Sequence, residues 1–445
     1  MENFDLMQLA IERAKSGGAS QADVIYSDSL SKDVEILEGK VSKSEINSGQ
    51  GLGIRLIKDG QPGYAYTHRL GKEQVESMVG DAIEQSSLSA PLEIELPEGE
   101  HMEGEDILGK WNPDLENLGM EDLKELSVAM ESKALSLDSR IVNFPHVGAS
   151  YSSGSRWLLN SKGLSRGSKS NLVQAYLGGV AKEGEQTKSG FYANGGRDRK
   201  ILDIDYFSSM AVERCTELLG ARSLPSGEVP VLFSNRVSPS IIGMYLGAIS
   251  AESVLKGQSK MAKKLDEKIA VDALQVVCDP TLVGAPGSRL CDSEGVLSQR
   301  TKLIEDGVLK TFIHNLETSK LMGQRPTGHG QRGIQGKAGM GFSNLLVEKG
   351  TSSCEELMKS VDRCLWVTKL EGSAACSQIS GELSIGVQGF WVEKGEIVHP
   401  VEAVTLSGNF YDIIQDIQGF SNAYSESYQS TKVPDLLIGK LALSG

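Results

Sequence analysis

Phe4, Met7, Ile11 and Ala14 recur three to four positions apart and Gly17-Gly18 follows them, which predicts an amphipathic helix with a stop. The pattern then turns strand-like. Residues 23–27, 34–38 and 41–47 read as short strands with a turn at Glu38-Gly39-Lys40, and residues 53–57 and 64–67 flank a second turn at Lys58-Asp59-Gly60. Val75, Met78, Val79, Ala82 and Ile83 restore the helical period. Residues 89–114, rich in Pro, Glu and Gly, follow neither period and predict a linker.

A second round follows. Leu123, Leu126, Met130, Ala134 and Leu137 form a helical stripe, strands dominate residues 140–192, and a helix over 206–219 stops at Gly220. Residues 223–227 read as a boundary. Beyond it lies a buried strand at 229–233, then Ser238-Pro239 as a helix start. The helix predicted over 240–255 is apolar on nearly every side through Ile249, so it should be covered by protein all round. Strands make up most of the remainder, with hairpin turns at Asp306-Gly307 and Lys394-Gly395 and one helix over 353–364. No repeat of 20–50 residues and no regular βαβ alternation is present.

The fold class is therefore α+β. An amino-terminal α+β domain spans 1–222, with sub-units 1–88 and 115–222 joined by the 89–114 linker. A carboxy-terminal β-rich domain spans 223–445 and should hold a large antiparallel sheet with an apolar helix.

Composition narrows the function. The 445 residues carry 45 Lys and Arg against 59 Asp and Glu, a formal charge of −14, which argues against direct nucleic-acid binding. The densest basic run, Lys260 to Lys264, sits beside Asp266 and Glu267. The first residues lack a signal-peptide pattern, and the longest apolar stretch, 241–249, is far short of the ~18 residues of a membrane span. Six cysteines without CxxC spacing fit reduced thiols in a cytoplasmic protein. The 50 glycines predict many turns.

Local motifs are sparse. Residues 328–333 match GxGxxG, but Arg325-Pro326-Thr327 precedes them instead of a strand, so a glycine-rich loop meeting a ligand or another chain is the better reading than a dinucleotide site. His68, His101, His146, His314, His329 and His399 are scattered singly, without HExxH. Asp292 and Glu294 stand two apart, on one face if extended. They suit acid–base work, capture of a peptide amino terminus, or a turn whose carboxylates accept backbone N–H bonds. Cys291 has no base or cation beside it in sequence.

In order along the chain, residues 226–231, Asp292-Ser293-Glu294-Gly295, 304–309, Pro326-Thr327-Gly328-His329, 389–397, Pro400-Val401 and Ser407-Gly408-Asn409 resemble the TldD/PmbA (TldE) family, once called modulators of DNA gyrase. Val34-Glu35 and Gly51-Leu52-Gly53-Ile54-Arg55 extend the resemblance into the first half. In the TldD branch, the resemblance implies an HExxxH helix whose two His bind zinc, whose Glu activates water, and a distant carboxy-terminal Cys as third ligand. Here those positions hold Gly243, Met244 and Ala248, and no cysteine follows Cys376. That resembles the PmbA/TldE branch. A further departure is Leu383-Ser384-Ile385-Gly386, where relatives often carry Arg-Gly after an aromatic-Ser pair.

The resemblance implies the non-zinc subunit of a cytoplasmic metallopeptidase complex for short or unfolded peptides and peptide maturation. Zinc would sit in a TldD-like paralogue, with no cofactor, membrane or nucleic acid bound by this chain. Asp292, Glu294 and the loop Thr327, Gly328, His329 and Gly330 are the candidate peptide-binding residues. A non-enzymatic regulator of gyrase or of a toxin–antitoxin pair is the alternative, and a self-sufficient homodimeric peptidase a third; the isolated chain could also pair with itself.

Overall fold

The computed structural model describes residues 2–92, 94–102, 107–372 and 375–445. Helix α1 (Asn3–Ser16) leads into β1 (Gln21–Leu37), β2 (Lys40–Lys58), β3 (Gln61–Thr67) and α2 (Lys72–Ser86). After a two-residue strand β4 (His101–Met102) come α3 (Met120–Leu137), β5 (Ile141–Asn160), β6 (Ser165–Glu183), β7 (Gln186–Gly196) and α4 (Ile204–Thr216). The short strands predicted over 23–57 are wrong in length: they merge into β1 and β2, of 17 and 19 residues, and β5 and β6 are as long, at 20 and 19 residues. The expected turns hold. Glu38-Gly39, Asp59-Gly60, Asp306-Gly307 and Lys394-Gly395 each take positive φ at both residues, the twist that two-residue hairpins need.

All seven strands form one sheet, ordered β3-β2-β1-β5-β6-β4 with β7 also on β6, so the two sub-units share continuous strands. The strand period of two explains how one strand serves two cores. Val24 and Tyr26 of β1 face α1 and α2, with Leu52, Ile54, Val75 and Met78. Val34 and Ile36, further along the same face, meet α3 and α4 with Val147, Leu177 and Phe207. The 89–114 segment is anchored to this sheet. Ile94 and Leu96 are buried against Ile57 and Leu316, Gln21 bonds the backbone of both, and Asn160 donates to the Pro97 carbonyl. Residues 93 and 103–106 of that segment lie outside the described residues.

The carboxy-terminal half begins with β8 (Gly227–Phe233), α5 (Ser238–Leu246), α6 (Ala251–Leu255) and β9 (Val276–Cys278). It continues with β10 (Thr301–Glu305), β11 (Val308–Leu309), α7 (Leu316–Leu321), β12 (Gly330–Gln331), β13 (Gly339–Met340), β14 (Leu345–Val347) and α8 (Cys354–Lys359). Then come β15 (Arg363–Glu371), β16 (Glu382–Glu393), β17 (Glu396–Asn409), α9 (Phe410–Ile413), β18 (Ile417–Phe420), β19 (Thr431–Lys432) and β20 (Leu436–Ser444). The large sheet runs β17-β16-β15-β8-β20-β18, and β20 pairs back onto β17 through Leu406–Leu443, closing five strands into a barrel. Its one parallel pairing is β8 with β15. A smaller sheet, β11-β10-β9-β14-β19, packs beside it.

Two helix expectations are corrected. The run 240–255 is not one helix: α5 ends at Leu246, residues 247–249 make a tighter turn, and extended Ser250 caps α6. Gly243 and Gly247 weaken the run, and Ser250 offers its hydroxyl to the Ser253 N–H as a new cap. Nor is it covered all round, because Gly243 is exposed and Met244 half-buried. The helix predicted over 353–364 stops at Lys359, and buried Cys364 belongs to β15.

Candidate functional site

On α5 and in the turn that follows it, the positions that the resemblance equates with a zinc motif contain no fitting donor set. Gly243 opens to solvent with nothing near its missing side chain, and Ala248 is fully buried and without a donor atom. Met244 offers only a thioether, which cannot act as a base. Behind these positions the space is filled by hydrocarbon. The Tyr245 ring stacks on Phe410 at 4.1 Å between centroids, and its hydroxyl donates to the Glu382 carbonyl at 2.7 Å. An apolar cavity of about 20 Å³ lies between Ile242, Tyr245, Ile249, Met261 and Phe410. Among the described residues no group of three His, Cys, Asp or Glu side chains could hold a metal ion.

The ionisable groups gather elsewhere, where the reverse face of the long sheet meets the carboxy-terminal half. Strand alternation puts Asp23, Ile25, Gly53, Arg55 and Leu158 on the face opposite α1 and α2. Loop 330–336 lies against this face. A side chain at Gly53 would strike the Ile334 carbonyl oxygen at 1.9 Å, so only glycine lets the loop seat. Ile334 then packs on Ile25, Leu158 and Leu164.

A buried ion network crosses this seam. Arg55 bridges Asp23 and Glu294, reaching Glu294 Oε1 at 2.5 Å, and Arg332 Nη2 lies 2.6 Å from the other Asp23 oxygen. All four residues are at most 5% exposed. Burial works against the Arg55 charge, but Asp23 and Glu294 outweigh it and hold the guanidinium above its ordinary pKa. Arg332 falls to about 10, because burial and the neighbouring Arg55 and Arg156 outweigh Asp23 and Glu294.

The structure places Asp292 and Glu294 in this wall with their lone pairs engaged. Asp292 Oδ1 accepts the N–H groups of Glu294 and Val296, and its Oδ2 accepts Gly330 N–H at 2.8 Å. Glu294 Oε2 accepts Leu316 N–H at 2.8 Å. Burial, then the Glu294 charge, pushes Asp292 up to about 6 against these hydrogen bonds. A Cβ at Gly330 would lie 2.7 Å from the Glu294 carboxylate, so the loop can pass over this turn only as glycine.

Gly328, His329 and Gly330 are buried and Thr327 half-buried. The Thr327 hydroxyl donates to the His314 carbonyl and accepts the His314 N–H at 2.7 Å. Its remaining lone pair faces His329 Nδ1 at 2.9 Å, so hydrogen-bond accounting assigns the His329 proton to Nδ1. Burial, aided by Arg289, pulls His329 down to about 4, and burial lowers His314.

Sequence reasoning missed the arginines. Cys291 lies within the fields of Arg156 and Arg166, which arrive from β5 and β6, and of Arg289, two positions before it in the same loop. Burial and Asp292 still outweigh them and push its thiol up to about 11, so it is no thiolate nucleophile. Arg55 stood in the Gly51–Arg55 motif, but nothing local marked it as an ion-network residue.

Comparison with known proteins matches this architecture throughout. Family models described as PmbA/TldA metallopeptidase domain 1, central domain and C-terminal domain match residues 22–86, 113–220 and 226–445. The chain is 27% identical to the metalloprotease PmbA of Escherichia coli O157:H7, over 99% of this chain and 96% of that protein. It is 25% identical to the metalloprotease TldD homolog of Buchnera aphidicola, over 88% and 83% of the two chains. A Thermotoga maritima protein solved under the description of a modulator of a DNA gyrase superposes with a TM-score of 0.89 at 27% identity, with both chains fully covered. TldE from Thermococcus kodakarensis has the same fold, with a TM-score of 0.87 at 24% identity over 99% of this chain and all of that one. With the fold, all three domains and the missing HExxxH donors in agreement, this chain belongs to the TldD/PmbA family, in its PmbA branch.

Proposed function

We propose that this chain is the non-zinc subunit of a cytoplasmic TldD/TldE-type metallopeptidase complex that hydrolyses short or unfolded peptides. The observation that carries this reading is the chemistry of α5 and the turn after it, where Gly243, Met244 and Ala248 stand in place of a zinc-ligand and general-base set. A TldD-like partner would hold the zinc and its activated water. This chain's part is to wall the chamber and orient an extended peptide, for which main-chain recognition tolerates many sequences.

In this reading Asp292, Glu294 and the Thr327–Gly330 loop act by shape. Their polar atoms hold the loop in place, and the peptide meets the surface so formed. Support comes from the metalloprotease names of full-length relatives and from the existence of a TldD homolog among them. Among the described residues no helix is long and apolar enough to cross a membrane.

Co-purification from native lysate tests the proposal. The expected result is a zinc-motif paralogue in near-equal ratio, with peptide cleavage only by the pair. Recovery of gyrase or a toxin–antitoxin protein in its place, with a TldD-type activity indifferent to this chain, would favour the regulator reading.

A further inference from the structure

A cleft of about 340 Å³, in the size range of small-ligand sites, lies further along the seam. Ser152, Gly154 and Ser170 of the sheet form one wall, and Pro286 and Tyr428 of the carboxy-terminal half form the other. Tyr428 is fixed there through its hydroxyl, which donates to the Gly284 carbonyl at 3.0 Å. Arg197 closes one side with its guanidinium 5.9 Å from the Tyr428 ring centre, and its buried Nε has no partner.

The sheet wall continues in register from Gly154–Ser170 to Arg156–Ser168 and Leu158–Arg166. Alternation therefore puts Arg156 and Arg166 on the cleft's face as diagonal cross-strand neighbours. Arg289 follows Pro286 by three residues, and the charges of all three arginines reach Cys291. None of the three is ion-paired to a carboxylate among the described residues. Arg156 donates to the Arg332 carbonyl, Arg166 to the Glu100 and Ser165 carbonyls, and Arg289 to those of Gly328 and Gly341. The Nε atoms of Arg166 and Arg289 are buried without a partner.

Charge counting points the same way. Among the described residues of this stretch, Arg55, Arg156, Arg166, Arg289 and Arg332 lie in the fields of Asp23, Asp292 and Glu294, five cations to three carboxylates in a chain whose formal charge is −14. Arg156, Arg166 and Arg289 are half-buried, and a partly desolvated cation without a carboxylate partner carries an uncompensated cost. The Cys291 thiol is held protonated and cannot serve as the counter-ion.

We infer that Arg156, Arg166 and Arg289 form an anion site at the end of this cleft, which takes the free α-carboxylate of a short extended peptide. Planar guanidinium groups match the two oxygens of a carboxylate. Ser152 and Ser170, on the same face of the sheet as Arg156, line the remaining length of the cleft and bring hydroxyls as hydrogen-bonding groups. The choice of a peptide carboxylate over a free oxyanion rests on the peptidase-subunit reading.

Calorimetric titration of the full-length chain tests it, with trialanine as the free acid, trialanine amide and inorganic phosphate as probes. The expected result is binding of the free acid, at least tenfold weaker binding of the amide, and at least a tenfold loss in both Arg156→Gln and Arg166→Gln. A melting temperature within a few degrees of the unaltered chain qualifies either variant, and two variants guard against one misfolding. Equal binding of acid and amide would overturn the inference, as would phosphate binding without peptide binding, or no binding of any probe at millimolar concentration. Because the titration needs neither zinc nor a partner, zinc found in the isolated chain would overturn the proposed function and leave this result standing.

Discussion

Two buried regions of the carboxy-terminal half use opposite materials. Around α5, where the family resemblance puts a metal motif, Tyr245, Phe410 and their aliphatic neighbours pack tightly, and the Tyr245 hydroxyl is bonded to a backbone carbonyl. At the seam with the long sheet, Asp23, Arg55, Glu294 and Arg332 are equally buried and held by charge. The difference teaches where constraint has been placed. Hydrocarbon packing tolerates volume-conserving exchange, whereas a buried ion network fails when one member is lost. On the proposed function, the α5 region is freed from catalysis and can relax into packing; a seam that fixes a glycine loop cannot.

The contrast is broken most forcefully at Arg55. Arg55→Ala leaves Asp23 and Glu294 buried without their shared cation and should cost about 3–5 kcal/mol in chemical denaturation. A loss below ~1 kcal/mol would mean that water or rearrangement replaces the network.

Acid titration sharpens the seam further. His329 is held neutral down to about 4 from an ordinary 6.5, so the unfolded chain takes up its proton first and stability falls as pH drops through that window. Asp292 is held protonated up to about 6 from an ordinary 3.8, so its contribution is lost as pH rises from about 4 to about 6. The two slopes oppose one another. His329→Gln should unmask the Asp292 slope, making the variant's deficit smaller at pH 4 than at pH 7, by up to about 3 kcal/mol at ~1.4 kcal/mol per pKa unit. Parallel pH–stability curves for variant and unaltered chain would remove His329 from the account.

Gly53→Ala tests the seating of the loop. The new methyl meets the Ile334 carbonyl oxygen and should cost about 1–3 kcal/mol, with proteolysis rising in the 330–336 loop. The smallest effect belongs to the apolar region. Tyr245→Phe keeps the stacked ring, removes one hydrogen bond and should cost about 1 kcal/mol. A larger loss would show that the region depends on polar order after all.

The sequence carried more of the fold than of the site. Hairpin turns were legible because Glu38-Gly39, Asp59-Gly60 and Lys394-Gly395 advertise positive φ locally. The helices of the first half were legible from their apolar period. Strand length was not, since the largely polar residues 28–33 of β1 and 48–51 of β2, rich in serine and glycine, read as breaks when they lie inside continuous strands. The 240–255 helix was over-read because apolar residues persist through a glycine and a serine cap that end it. Among the site residues, Asp292 and Glu294 were found by spacing, yet what they touch depends on Arg55, 239 positions from Glu294. Arg156 and Arg166 meet through sheet register, and Arg289 joins them from a loop of the other half, which no local motif records.

The central claim is that catalytic metal chemistry belongs to a partner and that this chain shapes the peptide's surroundings. Elemental analysis tests it most directly, comparing the chain purified alone with the same chain purified with a TldD-type paralogue, each assayed on an unstructured peptide. The account predicts no stoichiometric zinc and no cleavage for the chain alone, and both for the pair. Stoichiometric zinc with peptide cleavage by the chain alone would contradict it.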